Sequence, residues 1–481
     1  MDTRMDTIKI GWGQRSITPT KPVLLAGQFH DRVADQVRDP VLVTAMAIEG
    51  GSADGKQGDH VVWVSCDLIG IENEIQVGVR EKVRNAVSGL DPELVILNAT
   101  HTHTAPGLNG FNEKRIRPYL TAHKNYPHIM SSGEYSEFII EQIAEAVQEA
   151  WLGRQPGALS WAEGYAALGH NRMVKFDDES VVMYGDVRSV SFQGFSGPED
   201  HRVEMMFTWD ANRALTGVML NLACPAQIIE HESFISADYF AEVRDMVGQK
   251  WGSNVRVLGL IGAAGDQAPR DLMRNRGRVK LEGDEELRAA AKVLVRTMEE
   301  GLESTGQDLD THPIFKHQVR TIALPLRRVG KAEADQARSV WREFKDEYEQ
   351  QQDPIAFGDS LGMRIFEVYN AWAIQNQMIK LEQDPFYQME LHVLRIGDAV
   401  VVTNPFELFT EYGLQIKARS AAKQTFISQL TSGYRGYLPS ASAIKHGGYG
   451  TQMLSGDVGD EGGKLLVEHT LHAINSMWQL N

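Results

Sequence analysis

Continuous apolar and β-branched runs recur along the chain. They are "HVVWVSCDLIGI" (60–71), "ELVILNAT" (93–100), "RVEMMFTWD" (202–210), "LTGVMLNLACP" (215–225), "VRVLGLIGAAG" (255–265) and "MELHVLRIGDAVVVTNP" (389–405). Runs without polar alternation predict strands covered on both faces. Between them the period changes to that of a helix. In 284–300, Leu287, Ala291, Leu294, Val295 and Met298 share one helical face. Residues 134–152, 331–352, 359–382 and 462–478 also predict helices. Strands and helices interleave throughout, so the expected class is mixed α/β, a large β-sheet core flanked by helices.

Length alone allows two or three domains. No Ser/Pro/Gly-rich linker, low-complexity tract or repeat divides the chain. The expectation is therefore a single domain over 1–481, with the helical block 331–384 as an insertion or lid. Apolar residues make up 42%, enough for a sizeable core. The formal charge of −16 argues against phosphate-backbone binding, so no nucleic-acid partner is expected. No apolar run approaches the ~18 residues of a membrane span. The polar start, "MDTRMDTIKIGWG", lacks a signal peptide's apolar core. Two cysteines, Cys66 and Cys224, suggest a reducing, cytoplasmic setting. A small molecule is the expected partner, with a homo-oligomer left open.

Potentially reactive residues gather where the predicted strands end, where loops converge over a rigid scaffold. The first stretch is "THTHTAPG". In an extended chain His101 and His103 point to the same side and could reach one metal or one substrate. The plainer reading is a loop with two exposed histidines. The second is "NLACPAQIIEHESFISADYF" (221–240), with Cys224, Glu230, His231 and Asp238. Cys224 is read equally as a thiolate ligand or as a core cysteine. The third, "LIGAAGDQAPR" (260–270), presents Asp266, Gln267 and Arg270 after small residues that permit close backbone approach. It lacks the Gly–Lys–Ser/Thr ending of a P-loop. The fourth, "VVVTNPFELFTEYG" (400–413), predicts a helix whose first turn holds Pro405 and Glu407. Glu407 is there a dipole partner, a metal ligand or a general base. The fifth, "SGYRGYLPSASAIKHGGYG" (432–450), carries Tyr434, Tyr437 and Tyr449 among glycines.

With these stretches in view, the chain resembles the amino-terminal catalytic domain of the neutral ceramidase family. The likeness runs from "GWGQRSITPTKPVLLAGQ" to at least Tyr449, and "THTHTAPG" is similar to the family's "THTHSGPG". The resemblance implies one zinc ion per chain, with His101, Glu407 and Tyr437 as ligands and His103 at the reacting centre. It implies Tyr449 as a further active-site residue. It also implies Arg172, in "GHNRMV" beside His170, as a substrate contact. The family's second zinc histidine, in an "HP" pair, falls on Cys224, so the fourth ligand is Cys224, His231 or His170. The serine of its "GDVSP" falls on Ala268 in "GDQAP", which removes any mechanism needing that hydroxyl. The family's immunoglobulin-like carboxy-terminal domain has no counterpart expected here.

The expected activity is that of a zinc-dependent hydrolase attacking an amide or ester with a metal-activated water. His103 would carry the proton. Tyr449, Arg172 and Asp266 complete the expected catalytic set, the first two stabilising the oxyanion. A thiolate ligand would make the bound water less acidic, one reason to expect a soluble substrate rather than ceramide. The enzymatic alternative is a metal-dependent lyase or hydrolase acting on a sugar or uronic-acid derivative. The other is a non-catalytic ligand-binding homologue.

Overall fold

In the computed structural model the apolar runs become strands because each is sandwiched between two layers. The structure describes residues 7–28, 30–51, 58–108, 128–274, 281–305, 308–353, 357 and 360–478. Eight strands form one sheet: β1 (Lys9–Ser16), β2 (Leu42–Glu49), β3 (His60–Cys66), β4 (Val95–Ala99), β5 (Gln155–Tyr165), β6 (Arg202–Asp210), β7 (Leu215–Leu222) and β8 (Arg256–Ile261). Their spatial order is β8-β7-β6-β5-β1-β2-β3-β4. The outermost pairs, β3–β4 and β7–β8, are parallel. The inner pairs are antiparallel.

A second sheet, β9 (Phe315–Pro325), β10 (Phe386–Ile396), β11 (Ala399–Thr403) and β12 (Gln424–Ser428), runs in that order. It packs face to face on the first. Strand β3 shows why the run is continuous. Val62 and Val64 face the core beneath helices α1 (Asn73–Ala86) and α2 (Ser132–Leu152). Val61 and Trp63 point the other way, against Leu394, Val401 and Phe426 of the second sheet. Period-two alternation persists, but both destinations are apolar. Helices α3 (Tyr239–Trp251) and α4 (Asp284–Thr305) cover the β5–β8 half of the same face. The result is a mixed α/β fold with a large central sheet flanked by helices.

Between adjacent strands β9 and β10 the chain leaves the sheet as a helical pair, α5 (Lys331–Glu349) and α6 (Arg364–Gln383). Its small core holds Phe344, Leu361 and Val368. The pair docks on the loop after the fifth stretch. Gln377 donates to the carbonyls of Arg327 and Asp457 (both 2.9 Å), and Asn370 Oδ1 accepts from Leu454 N–H. Of the predicted helix 359–382, residue 359 lies outside the described residues, and the helix begins at Arg364. The long run 389–405 is two strands, β10 and β11, joined by a reversal at Gly397–Asp398.

The predicted helix start at Pro405 is not observed. Glu407–Leu408 is a short strand paired in parallel with Tyr437–Leu438. Helix α7 (Thr410–Arg419) begins only afterwards. The backbone of Gly436 accepts from Glu407 N–H (2.9 Å), a long-range partner that keeps the segment extended. Helices α8 (Ala441–His446) and α9 (Asp460–Ser476) complete the chain, and α9 packs with α7 on the outer face of the second sheet. Among the described residues, no helix is long and apolar enough to cross a membrane.

Candidate functional site

The loops after β4, β8, β11 and β12 meet at one place. Ser432 N–H donates to the Leu97 carbonyl (2.9 Å), Gln429 N–H to Ile261 (3.0 Å) and Gly265 N–H to Leu408 (2.8 Å). The Gln429 side-chain oxygen accepts from both Ala264 N–H and Leu408 N–H. This binding of loop to loop carries the first, third, fourth and fifth sequence stretches to one rim. Strained backbone accompanies it: His101 (φ 62°) and Leu430 (φ 52°) are both left-handed, a conformation that costs about 1–2 kcal/mol for such residues.

His101 is buried, and its Nδ1 lies 2.6 Å from the Ile69 carbonyl oxygen. A carbonyl only accepts, so Nδ1 holds a proton and Nε2 is the nitrogen turned toward the site. Nε2 faces Glu407 Oε2 at 3.5 Å and His103 Nε2 at 3.4 Å. The two rings meet edge to face, centroids 4.9 Å apart. They are brought together by the left-handed turn at His101 rather than by an extended strand. Glu407 Oε1 accepts from the Tyr434 hydroxyl (2.7 Å). Tyr437 stands on the rung beside Glu407. Burial opposes ionisation of Glu407, but His101, Tyr437 and Arg172 hold its carboxyl below the ordinary range. Burial, then Glu407, pushes the Tyr437 phenol well up.

Arg172 reaches the same group. Its Nη2 donates to the Tyr437 hydroxyl (3.1 Å) and to the Gly265 carbonyl (2.9 Å). The guanidinium lies 5.9 Å from the Tyr437 ring centre and 5.5 Å from that of Tyr449. Asp266 is engaged differently. Its carboxylate accepts from Thr410 N–H (3.0 Å), Thr410 Oγ1 (2.7 Å) and Asn171 Nδ2 (3.0 Å). It therefore caps α7 and steadies the Asn171–Arg172 segment; these three donors engage both of its oxygens. Gly265 allows the close approach foreseen for the small residues, but toward protein: a Cβ there would stand 2.4 Å from the Glu407 carbonyl oxygen.

Cys224 is not brought to this group. Its thiol is buried in the core beneath α3 and α4, 3.7 Å from the Pro225 carbonyl oxygen. Burial pushes its pKa well up. Among the described residues, His101, Glu407 and Cys224 do not form a set of donors within 4.8 Å of one another. His231 lies on the surface beside Glu230. His170 stands in a different cluster, with Glu199 and His201, whose donor atoms do lie within 4.8 Å of one another. Ala268, buried, pairs with His170 in a two-residue ladder.

Sequence reading passed over several functional neighbours. Buried Arg32 donates to the carbonyls of Ala26 (2.5 Å), His103 (2.6 Å), Glu230 (2.9 Å) and Glu232 (2.5 Å). Gln227 Nε2 lies 3.3 Å from His103 Nε2 and donates to Glu230 Oε2 (3.1 Å). Glu230 Oε2 in turn lies 3.6 Å from His103 Nδ1. Burial, reinforced by His101, Arg172 and Arg32, depresses the His103 pKa well below its ordinary value, so its imidazole is neutral at pH 7. Gly27, at φ 94°, was the one available signal: a Cβ there would sit 2.5 Å from His103 Nδ1. Arg32 itself, five residues on, had no local pattern to mark it.

The donor set of the rim fits a divalent cation. His101 Nε2 and Glu407 Oε2 face one another across 3.5 Å, and the Tyr437 hydroxyl adds a third donor atom beside them. Imidazole, carboxylate and phenol are ligands of the kind that zinc accepts. The backbone bond to His101 Nδ1 is the usual outer support of a metal-ligating histidine.

No family model matches the chain, and no curated protein matches it. Solved structures similar to it include two ceramidases. One is neutral ceramidase from Pseudomonas aeruginosa, 16% identical, TM-score 0.67, covering 99% of this chain and 76% of that one. The other is a ceramidase complexed with C2, 14% identical, TM-score 0.66, covering 98% of this chain and 76% of that one. The fold is thus ceramidase-like over nearly the whole chain.

Proposed function

We propose that this chain is a metal-dependent hydrolase of amide or ester bonds, with His101, Glu407 and Tyr437 holding a zinc-class ion. The observation that carries the reading is the Nε2 of His101, whose Nδ1 is tied to the Ile69 carbonyl, aimed at Glu407 Oε2. When bound, such an ion supplies a nucleophile at neutral pH by acidifying water, and it polarises a carbonyl. The remaining steps fall to the chain's own residues. His103, neutral and backed by Glu230, takes up a proton at Nε2 and returns it to the leaving group. Arg172 holds the Tyr437 hydroxyl and, with Tyr449, lines the side on which negative charge develops on the substrate oxygen. Asp266 positions the Arg172 segment and does not meet substrate. Cys224 belongs to the core, so His101, Glu407 and Tyr437 are the three residues that would hold the ion, the number of protein ligands usual for catalytic zinc. With Ala268 in the ladder beside His170, no serine nucleophile is assigned there.

The ceramidases that share the fold support hydrolysis as the reaction class. The test is a metal count and a hydrolysis screen on the full chain. His101→Ala is expected to lose one equivalent of zinc relative to the parent, together with hydrolysis of N-acyl or ester chromogenic substrates. An intact metal count with unchanged activity in His101→Ala would overturn the assignment.

A further inference from the structure

We infer a second cation site, separate from the first, formed by His170, Glu199 and His201. Glu199 sits between two imidazoles: Oε1 lies 3.5 Å from His170 Nδ1 and Oε2 lies 2.9 Å from His201 Nε2. Ligands on a tetrahedral ion with bonds near 2.05 Å stand about 3.3 Å apart; one donor atom from each of the three residues lies within 4.8 Å of the other two, a spread that a small closure of the side chains brings to that edge. The rings are 5.5 Å apart and steeply inclined at 61°, so both can direct a nitrogen at one point. Among the described residues, the other ring nitrogen of His201, Nδ1, is buried without a hydrogen-bond partner.

Two further observations point to a built site. Glu199 Oε1 also accepts from the Asn171 backbone N–H (2.9 Å), which fixes the carboxylate in the manner of an outer-shell support. A cavity of about 280 Å³, lined by His170, Phe195, Glu199 and Asp271 among others, opens on the cluster. It offers an entry path and room for water or an exogenous ligand at the fourth position. Two histidines with one carboxylate and an open position favour a borderline divalent ion, zinc above the hard cations magnesium and calcium.

The location assigns a role. His170 and Asn171 form the short strand that precedes Arg172, and Glu199 lies in the loop leading to β6. An ion held by His170 and Glu199 ties that loop to the strand that delivers Arg172 to the rim. The site thus acts on the first by positioning Arg172.

The full chain, stripped with a chelator and titrated with Zn²⁺, tests this by calorimetry. In a His101→Ala background the first site is silenced. One equivalent of zinc should still bind, with a Kd below about 10 μM. Adding Glu199→Gln or His201→Ala should weaken that binding by more than the ~10–100-fold typical of losing an outer-shell partner. Zinc should also raise the Tm of the His101→Ala protein and not of the double variants. If His101→Ala does not fold, the parent is compared with Glu199→Gln, which should hold one equivalent fewer. Binding that survives both Glu199→Gln and His201→Ala, or none in the His101→Ala background, overturns the second site. Loss of the first site alone would appear instead as equal counts in parent and His101→Ala, so the two failures are distinguishable.

Discussion

Arg32 is where a single side chain holds the most of the site, and Arg32→Leu is the sharpest perturbation. The residue is 3% exposed, and its two terminal nitrogens donate to four carbonyls of three segments: Ala26, His103, and Glu230 with Glu232. After exchange with water, each such bond contributes about 1 kcal/mol, so the four sum to about 4 kcal/mol. Leucine fills part of the volume but leaves four carbonyls without their donor. Arg32→Lys keeps the charge but not the planar fork, and should recover a minor part of the loss. The assay is urea unfolding followed by tryptophan fluorescence, with hydrogen exchange read at 26–28, 101–104 and 230–232. The expected result is a stability loss of about 4 kcal/mol for Leu, and faster exchange in those three segments. A loss below about 1 kcal/mol with unchanged protection would refute the view that this guanidinium fastens the His103 loop.

Three further outcomes follow from the same geometry. Cys224→Ser should leave the zinc count unchanged and cost about 1–3 kcal/mol, because a hydroxyl replaces a thiol in an apolar core; loss of an equivalent of zinc would restore Cys224 as a ligand. Gly265→Ala should cost about 1–3 kcal/mol and weaken zinc binding, since its Cβ meets the Glu407 carbonyl oxygen at 2.4 Å; a parent-like affinity would show that Glu407 tolerates the shift. Glu390, bonded to His392 and Arg80, is held down to about 2 against an ordinary 4.5, despite burial. A depressed carboxyl stabilises the fold above the unfolded pKa, and that contribution is lost as pH falls from about 4.5 toward 2, by about 3 kcal/mol at most. Urea midpoints of the parent and Glu390→Gln should therefore converge across that window; parallel curves would contradict it.

The apolar runs and helical faces were legible in the sequence because burial and backbone period are local properties. "HVVWVSC" reads as a doubly covered strand whatever covers it, and the residues of α4 show their buried face in their spacing. The motif "THTHTAPG" likewise announces two imidazoles at the end of a strand. What each residue meets was not legible. Pro405 carries a helix-start signal, yet the backbone of Gly436 keeps Glu407 extended beside Tyr437. Cys224, read as ligand or core, turns its sulfur into the core because the chain just past β7 is covered by α3 and α4. Arg32 finds His103 across 71 residues and Glu230 across 198. His201 meets Glu199 close by along the chain, but His170 arrives from a short strand some 29 residues earlier. Sequence alone determined the long apolar strands and amphipathic helices, the mixed class and the strand end that carries His101 and His103. Tertiary structure decided which donors converge, because a side chain's partner is set by how strands and loops are laid beside one another, and spacing along the chain carries no record of that.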